Sequence, residues 1–475
     1  MSLENKTELE TFNNKNAIEE ESINNETNSQ SENNQIQTEK IYQTLDEFND
    51  VYEDSKLLLK NYIEGNLTLF DLSQKIINNK IPKEFRIILY KICFNVIEFN
   101  NPKKWEENLN QKRNYYYNEV NKYINSNKNI IPFFNCSDIK GTKNYDKLYK
   151  LLPKNDEHLL ALIKLDVERT FQDLDLFKNP AIKEILCKIL YIFSKENSDP
   201  SYCQGMNEIC GTLLYIFLPG MTCSENEDNF LDDITQNKND ITLNKNDISQ
   251  NKNDITQNKN DISYIEKLYN FLTNDIYFEA DLYIIFNEIM SRDLKELYTY
   301  NNERYRNKKY EYDKSNLTYE EVEKTDESEL VKRIKRLFYI KLKEIDSSLF
   351  EELVNKIDPD IFLLRWILCL LNREISLKNV MWLWDCIFFY ELVEFTVNNE
   401  EKDLPRLNFL DSICISMILN IKDELVSCEK GTVMMFLLQY PNEFNLREII
   451  LNAIKISKEK KIWENEKLNE KIYNL

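Results

Sequence analysis

The segments IKLDVERT at residues 163–170 and YCQGMN at residues 202–207 contain the residues on which the interpretation of this chain rests. The first segment ends a run of leucines and isoleucines with helical spacing, and Asn155 or Asp156 is placed to cap the start of that helix. Asp166 and Arg169 are three residues apart, so on a helix the carboxylate lies beside the guanidinium. We therefore expect an arginine oriented by Asp166 at the end of this helix.

The second segment follows a helix predicted for residues 181–194 and a break at Asn197–Ser201. Asn, Asp and Pro in this break end the helix, and the apolar run Tyr202–Phe217 predicts that another helix starts near Tyr202. Gln204 and Gly205 would then lie in its first turn. The free N–H groups and the positive end of the helix dipole at such a position suit a phosphate.

The composition excludes several classes of function. The chain has 475 residues, of which 42% are hydrophobic, and its net charge is −20. This acidity argues against nucleic acid and anionic membrane as partners, because both require basic protein surface. The single histidine, His158, is expected at the surface and argues against a His-based metal site or a Ser-His-Asp triad. The six glycines form no phosphate-binding loop, so we expect no cofactor of the chain's own.

The ten cysteines include no C-x-x-C pair, and most lie in apolar runs, as free buried thiols do. This pattern is typical of proteins in the reducing cytosol. The chain starts with a polar, acidic segment, and its apolar runs are too short to span a bilayer. We therefore expect a cytoplasmic protein without direct membrane insertion. A reactive thiol at Cys203 is a minor alternative.

Helical patterning without a convincing strand pattern begins at about residue 41 and predicts an all-α fold. Residues 1–40 are rich in Asn and Glu and predict a disordered tail. Residues 224–263 are predicted to be a low-complexity insertion, in which a seven-residue repeat carries only one isoleucine per unit, too few for a coiled coil. A second insertion, predicted to be a charged loop, covers residues 301–329.

Charged residues within the C-terminal helices lead to two further expectations. Arg365, Arg373, Glu374 and Asp385 lie in otherwise apolar helices, where charges persist only when they are paired. We expect them to form an ion network that holds the C-terminal helices together, with a catalytic role as the alternative. The basic helix predicted for residues 330–345 would present a solvated face or, alternatively, a contact for an acidic partner.

The pair I-x-x-D-x-x-R and Y-x-Q-G, at this separation, resembles the two signature motifs of TBC-domain proteins (Tre-2/Bub2/Cdc16), the GTPase-activating proteins for Rab GTPases. Further similarities extend over residues 81–440. The opening motif of the family is resembled by Ile81, Pro82, Arg86 and Trp105, although Lys80 and Tyr90 replace its usual Gly and Trp. The segments F-x-x-R-W at 362–366, R-E at 373–374 and W-D at 384–385 resemble its C-terminal motifs.

The resemblance implies a helical TBC domain of two lobes over residues 41–475, with a groove for a Rab GTPase in its GTP form. Arg169 and Gln204 would enter the GTPase site as an arginine finger and a glutamine finger. The chain would then activate an enzyme without being one, and GTP and magnesium would belong to the partner. The supporting residues that the resemblance implies are Asp166, Tyr202, Gly205, Asn207 and Arg86.

These roles agree with the chemistry of phosphoryl transfer, in which catalysis consists mainly of positioning and charge stabilisation. A carboxamide can accept a hydrogen bond from the attacking water and donate one to the phosphate. The alternative is a scaffold that binds a Rab without turning it over; the presence of both Arg169 and Gln204 favours catalysis. A Rab activator would regulate vesicle trafficking and would reach endomembranes through its partners.

Overall fold

The computed structural model describes residues 54–98, 101–124, 156–220, 264–299, 312–390 and 407–457. The tail at 1–40 and the insertion at 224–263 lie outside these residues. The described residues contain many helices and no strand, which confirms the all-α prediction. His158 is exposed as predicted, and the same residues include no cluster of side chains suited to a metal ion. No helix among them is long and apolar enough to cross a bilayer.

Helices occupy most of the described residues before residue 221. A 3-10 turn, Lys83–Phe85, leads directly into the third of them. The helices are α1 (Ser55–Ile63), α2 (Leu69–Ile77), α3 (Arg86–Cys93), α4 (Trp105–Tyr123), α5 (Glu157–Arg169), α6 (Asp175–Lys178), α7 (Pro180–Glu196) and α8 (Met206–Phe217).

The residues that the structure describes from 264 onward are also mostly helical. Two π-helical segments interrupt it, Ile289–Asp293 after the second helix of this part and Arg336–Leu342 between the fifth and the sixth. The helices are α9 (264–273), α10 (Phe278–Glu288), α11 (Lys295–Tyr298), α12 (Tyr319–Glu323), α13 (Glu329–Lys335), α14 (Lys343–Ile345), α15 (Ser347–Leu353), α16 (Asp360–Leu368), α17 (Leu377–Phe389), α18 (Asn408–Asn420), α19 (Lys422–Ser427), α20 (Lys430–Leu438) and α21 (446–457).

Local sequence signals explain several of these boundaries. Helix α7 begins at a proline, and the Asn179 side chain before it accepts a hydrogen bond from the Ala181 N–H at 2.8 Å. Asp156 precedes α5 as predicted but does not cap it. Its carboxylate instead accepts hydrogen bonds from the Tyr191 hydroxyl at 2.7 Å and from Lys195 at 3.1 Å. Asp156 therefore forms a tertiary contact between α5 and α7, and Asn155, the other predicted cap, lies outside the described residues.

Helix α8 lies at the centre of the described residues. It packs against α3, α5, α7, α10 and α17, and Tyr215 is its only residue that is not fully buried. A Cβ atom at Gly211 would lie 3.0 Å from the Thr170 side chain and 3.1 Å from the Phe171 ring. A glycine at this position therefore allows the segment after α5 to pack closely on α8.

A buried cluster of charges joins α3, α4 and α10. The two carboxylate oxygens of Asp281 accept hydrogen bonds from Lys91 and Arg113, with N–O distances of 2.7 Å. The three side chains are at most 1% exposed. Glu279, on the same helix as Asp281, pairs with Lys188 of α7 at 2.8 Å. No sequence pattern predicted this cluster, because its members come from separate helices.

The four C-terminal charged residues are all paired, but the prediction that they form one network among the C-terminal helices was wrong. Only two of the four residues pair with each other. The other two bind residues in the N-terminal half, so these ion pairs connect C-terminal segments to α3 and α8. The three pairs, each with one N–O distance of 2.7 Å, are Arg365 with Glu374, Arg373 with Glu208 and Asp385 with Arg86.

The basic segment predicted as one helix over residues 330–345 consists of α13, the π-helical segment and α14. Several of its cations pair with acids of the same chain. Arg333 and Lys341 donate to Asp411 at 2.7 and 2.6 Å, and Lys335 donates to Glu327 at 2.6 Å. For these three cations, the prediction of a solvated face and the alternative of a contact with an acidic partner were both wrong, because acidic residues of the same chain are their counter-ions.

The charged insertion predicted for residues 301–329 is partly helical. Residues 301–311 lie outside the described residues, whereas α12 lies within the predicted loop. Thr318 and Glu321 form a reciprocal capping box at its start, and Val322 is buried. The prediction of a loop was therefore wrong for this helix, because the high charge of the segment obscured a capped helical turn with one core residue.

Candidate functional site

Arg169 is the last residue of α5 and projects from the end of that helix. Its Nη2 donates to Asp166 Oδ1 at 2.9 Å, and its Nε donates to the Leu165 carbonyl at 3.1 Å. The Arg169 side chain is 56% exposed, whereas that of Asp166 is only 5% exposed. The predicted i,i+3 pair is thus present, and it anchors one side of the guanidinium while the rest remains accessible.

Asp166 connects this helix to the second segment. Its Oδ2 accepts a hydrogen bond from the Tyr202 hydroxyl at 2.8 Å, so its two oxygens bind Arg169 and Tyr202 separately. Burial, together with the neighbouring carboxylate, raises the pKa of Tyr202 well above its usual value. The hydroxyl therefore keeps its proton and remains a donor to Asp166. Tyr202 in this way fixes the carboxylate that orients Arg169.

The end of α5 is held by contacts that no local sequence pattern indicates. The Thr170 hydroxyl donates to the Asp166 carbonyl at 3.0 Å and accepts from Asn207 Nδ2 at 2.9 Å. Phe171 then adopts a left-handed conformation with φ of 45°, and its ring packs on Phe177. A non-glycine residue in this region is uncommon, so surrounding contacts must hold it there. They end the helix immediately after Arg169.

Gln204 lies in the turn before α8 and is exposed. The prediction that it occupies the first turn of a helix starting near Tyr202 was wrong, because α8 begins at Met206. Gly205 precedes the helix with φ of 104°, and its N–H donates to Asn207 Oδ1 at 3.1 Å. That amide is therefore occupied within the chain, contrary to the expected free N–H for a phosphate.

The turn that contains Gly205 is enclosed by Tyr298 of α11. A Cβ atom at Gly205 would lie 3.0 Å from the Tyr298 hydroxyl, which donates to the Leu368 carbonyl of α16 at 2.9 Å. Tyr298 is 93 residues from Gly205 in the sequence, so no local pattern indicates the contact. Both the backbone conformation and the enclosed space therefore favour glycine at this position.

Gly205→Ala should lower the stimulated hydrolysis expected of this chain, because it disturbs the backbone that carries Gln204. Alanine is strained at the positive φ of this position, and its methyl group would lie 3.0 Å from the Tyr298 hydroxyl. Gly65→Ala is the matched control, since Gly65 has φ of 75° but nothing within 4 Å of the added Cβ. We expect a loss of activity of at least about tenfold for Gly205→Ala, equivalent to about 1.4 kcal/mol. Equal activity of the two variants would contradict a role for this turn.

Two further expectations concern Arg86 and Cys203. Arg86 is buried and its Nε donates to Asp385 at 2.7 Å. Among the described residues, Arg86 forms no hydrogen bond or ion pair with Arg169 or Gln204, so its expected support of the site does not run through such a bond. Burial, aided by the charge of Asp199, raises the pKa of the Cys203 thiol. A higher pKa leaves less thiolate, which argues against the reactive-thiol alternative.

The two segments therefore form one hydrogen-bonded unit. Asn207 connects them: its Oδ1 accepts a hydrogen bond from the Gly205 N–H, and its Nδ2 donates one to the Asp166 carbonyl at 3.3 Å. The unit carries an exposed guanidinium, that of Arg169, and an exposed carboxamide, that of Gln204. Such an arrangement can present a positive charge and a water-binding group to a phosphate held by another molecule.

Comparison with known proteins identifies a family for this arrangement. The chain matches the RabGAP-TBC family, the Rab-GTPase-TBC domain, over residues 83–313 and 316–426. It is 22% identical to human TBC1 domain family member 5 over 82% of this chain and 43% of that protein. It is 23% identical to the Dictyostelium discoideum homolog A of that protein, over 86% of this chain and 36% of the relative.

Two other similarities concern GTPase-activating proteins. The chain is 25% identical to the GTPase-activating protein gyp1 of Schizosaccharomyces pombe, over 30% of this chain and 23% of that protein. The crystal structure of the Ypt/Rab-GAP domain of Gyp1p aligns with a TM-score of 0.53 and 15% identity, covering 86% of this chain and 100% of that domain. This last likeness shows the fold. The chain spans less than half the length of the curated relatives named here.

Proposed function

Because this chain belongs to the Rab-GTPase-TBC domain family, we propose that it stimulates GTP hydrolysis by a Rab-family small GTPase in its GTP form. The partner holds GTP and magnesium, and this chain contributes side chains to the partner's active site. It is a GTPase activator and has no enzymatic activity without its partner. Through the Rab it regulates vesicle trafficking on endomembranes.

Arg169 supplies the positive charge. During GTP hydrolysis, negative charge develops on the phosphate oxygens, and a guanidinium inserted by an activating protein stabilises it. The observation that carries the proposal is that Arg169 is exposed at the end of α5 while the buried Asp166, itself bound by Tyr202, holds one side of it. An arginine held in this way loses little conformational freedom when it enters another protein's site.

Gln204 positions the attacking water. Its carboxamide can accept a hydrogen bond from the water and donate one to a phosphate oxygen, which places the water in line with the bond that breaks. The support for this role is its exposure in a turn whose backbone is fixed by Asn207 and enclosed by Tyr298. The Rab would then not need its own glutamine for this task.

A phosphate-release screen tests the proposed function. The purified chain is mixed in turn with each GTP-loaded Rab of its organism, and hydrolysis is followed under single-turnover conditions. We expect at least one Rab to be accelerated by about 10³-fold or more. Binding of GTP-loaded Rabs, measured in parallel, identifies the alternative. If a Rab binds tightly in its GTP form and no Rab is accelerated, the chain is a scaffold and the proposed activity is wrong.

A further inference from the structure

Two leucines on α5 are exposed close to Arg169. Leu162 is 41% exposed and Leu165 is 55% exposed, whereas Leu160, Ile163 and Val167 on the same helix are buried. The buried residues supply the core face of an amphipathic helix, so the two exposed leucines are not required for that core. Single exposed leucines are common at protein surfaces. The position of these two relative to Arg169 distinguishes them.

The geometry of the helix places both leucines beside the candidate site. With a rise of about 1.5 Å per residue, Leu165 lies about 6 Å and Leu162 about 10.5 Å before Arg169 along the helix axis. The Nε of Arg169 donates to the Leu165 carbonyl, so the guanidinium leaves the helix next to Leu165. Residues separated by three, four or seven positions lie on one side of a helix. Leu162, Leu165 and Arg169 therefore lie on one face of α5.

The size of a protein interface determines what must cover this face. A specific interface buries about 800 Å² on each partner, which corresponds to a circular patch about 16 Å in radius. A guanidinium that reaches a nucleotide inside another protein is surrounded by that protein, so it cannot lie at the edge of the patch. Leu165, and with it Leu162, then lies within the area that the partner covers.

We infer that Leu162 and Leu165 form an apolar docking surface for the same GTP-bound GTPase that Arg169 serves, an inference that rests on the proposed function. The GTPase must present an apolar patch next to its nucleotide phosphates, because burial of leucine side chains is favourable only against apolar atoms. This surface is continuous with Arg169, so the GTPase that receives Arg169 is also the molecule that covers the two leucines. The leucines contact protein and not nucleotide.

This docking surface should act on affinity and leave turnover unchanged. Contacts between leucines and the GTPase surface form when the complex forms and change little as the phosphate bond breaks. Interactions of equal strength in the ground state and the transition state lower KM without raising kcat. The contribution of Arg169, by contrast, appears mainly in the transition state and therefore in kcat.

The test uses the double variant Leu162→Gln/Leu165→Gln and the Rab that the chain stimulates most. Glutamine is similar in size to leucine and forms helices well, so α5 should remain folded. We expect KM for the GTP-loaded Rab to rise at least about tenfold, equivalent to about 1.4 kcal/mol, and kcat to stay within about twofold. The double variant with methionine at both positions should keep the original KM, because it restores the apolar surface.

Leu57→Gln is the matched control. Leu57 is 47% exposed on α1, so its substitution makes the same chemical change on a helix that does not carry a proposed site residue. We expect its KM to equal that of the original protein. Thermal unfolding of all variants checks that each one is folded. A melting temperature close to that of the original protein confirms that a change in KM reports on docking.

Three outcomes would overturn the docking surface. An unchanged KM in the glutamine double variant would show that the GTPase does not cover these leucines. A fall in kcat at unchanged KM would show that they act through Arg169. Dissociation of a dimer of this chain by the same variant, with KM unchanged, would assign the surface to a second copy. If the original protein stimulates no Rab, the proposed function itself fails, which the screen detects before any leucine is changed.

Discussion

Arg169→Ala is expected to lower the stimulated rate of GTP hydrolysis by about 10³-fold or more, which corresponds to about 4 kcal/mol of transition-state stabilisation. The melting temperature should change little, because the Arg169 side chain is more than half exposed and the buried Asp166 carboxylate keeps its hydrogen bond from the Tyr202 hydroxyl. The rate is measured by phosphate release at saturating activator, so that the loss appears in the chemical step and not in binding.

Two further variants make this result specific. Arg169→Lys should recover little of the lost rate, because an ammonium lacks the planar fork of donors that a guanidinium offers to phosphate oxygens. Lys324→Ala is the control for loss of an exposed cation, since Lys324 is 75% exposed in a surface pair with Glu320. If Arg169→Ala keeps more than about a tenth of the original stimulation, Arg169 is not the finger.

Asp281→Asn is expected to lower the free energy of unfolding by about 3–5 kcal/mol, because it leaves two buried cations without their counter-ion. Burial alone would raise the pKa of Asp281, but Lys91 and Arg113 outweigh that effect and lower it, so the carboxylate is charged at neutral pH. Both cations are at most 1% exposed and cannot turn to water without local unfolding. Equilibrium unfolding in urea measures the loss.

Glu266→Gln provides the control for this prediction. Glu266 pairs with Lys56 at 3.0 Å, but the two side chains are about half exposed. Its substitution should change the free energy of unfolding by less than about 1 kcal/mol. A loss of similar size in the two variants would show that burial of the Asp281 cluster does not determine its contribution to stability.

The parts of the fold that depend on local signals could be predicted. The helix predicted for residues 181–194 is present as α7 (Pro180–Glu196), because a long apolar run after Pro180 marks it. The ion pair between Asp166 and Arg169 follows from helical geometry alone. The bond from Tyr202 to Asp166 joins residues 36 positions apart, so helical spacing could not reveal it.

The start of α8 was predicted incorrectly for a physical reason. Tyr202 and Met206 are both buried, so apolar residues continue through the turn and hide the boundary. The glycine between them was the available signal, since glycine permits the positive φ observed there. The partner of Arg373 could not be predicted in any such way. Glu208 lies 165 positions earlier and meets Arg373 only because of the tertiary packing.

The central claim is that this chain donates both Arg169 and Gln204 to the GTPase. The measurement that tests it most directly uses a Rab whose own switch glutamine is changed to leucine, a change that usually blocks hydrolysis. Phosphate release from this Rab is measured with the original chain and with Gln204→Ala, and binding is measured in parallel. We predict clear stimulation by the original chain, below that of the normal Rab, and none by Gln204→Ala despite retained binding. If the altered Rab binds the original chain and is not stimulated, the Rab supplies its own water-positioning residue and the claim for Gln204 is wrong.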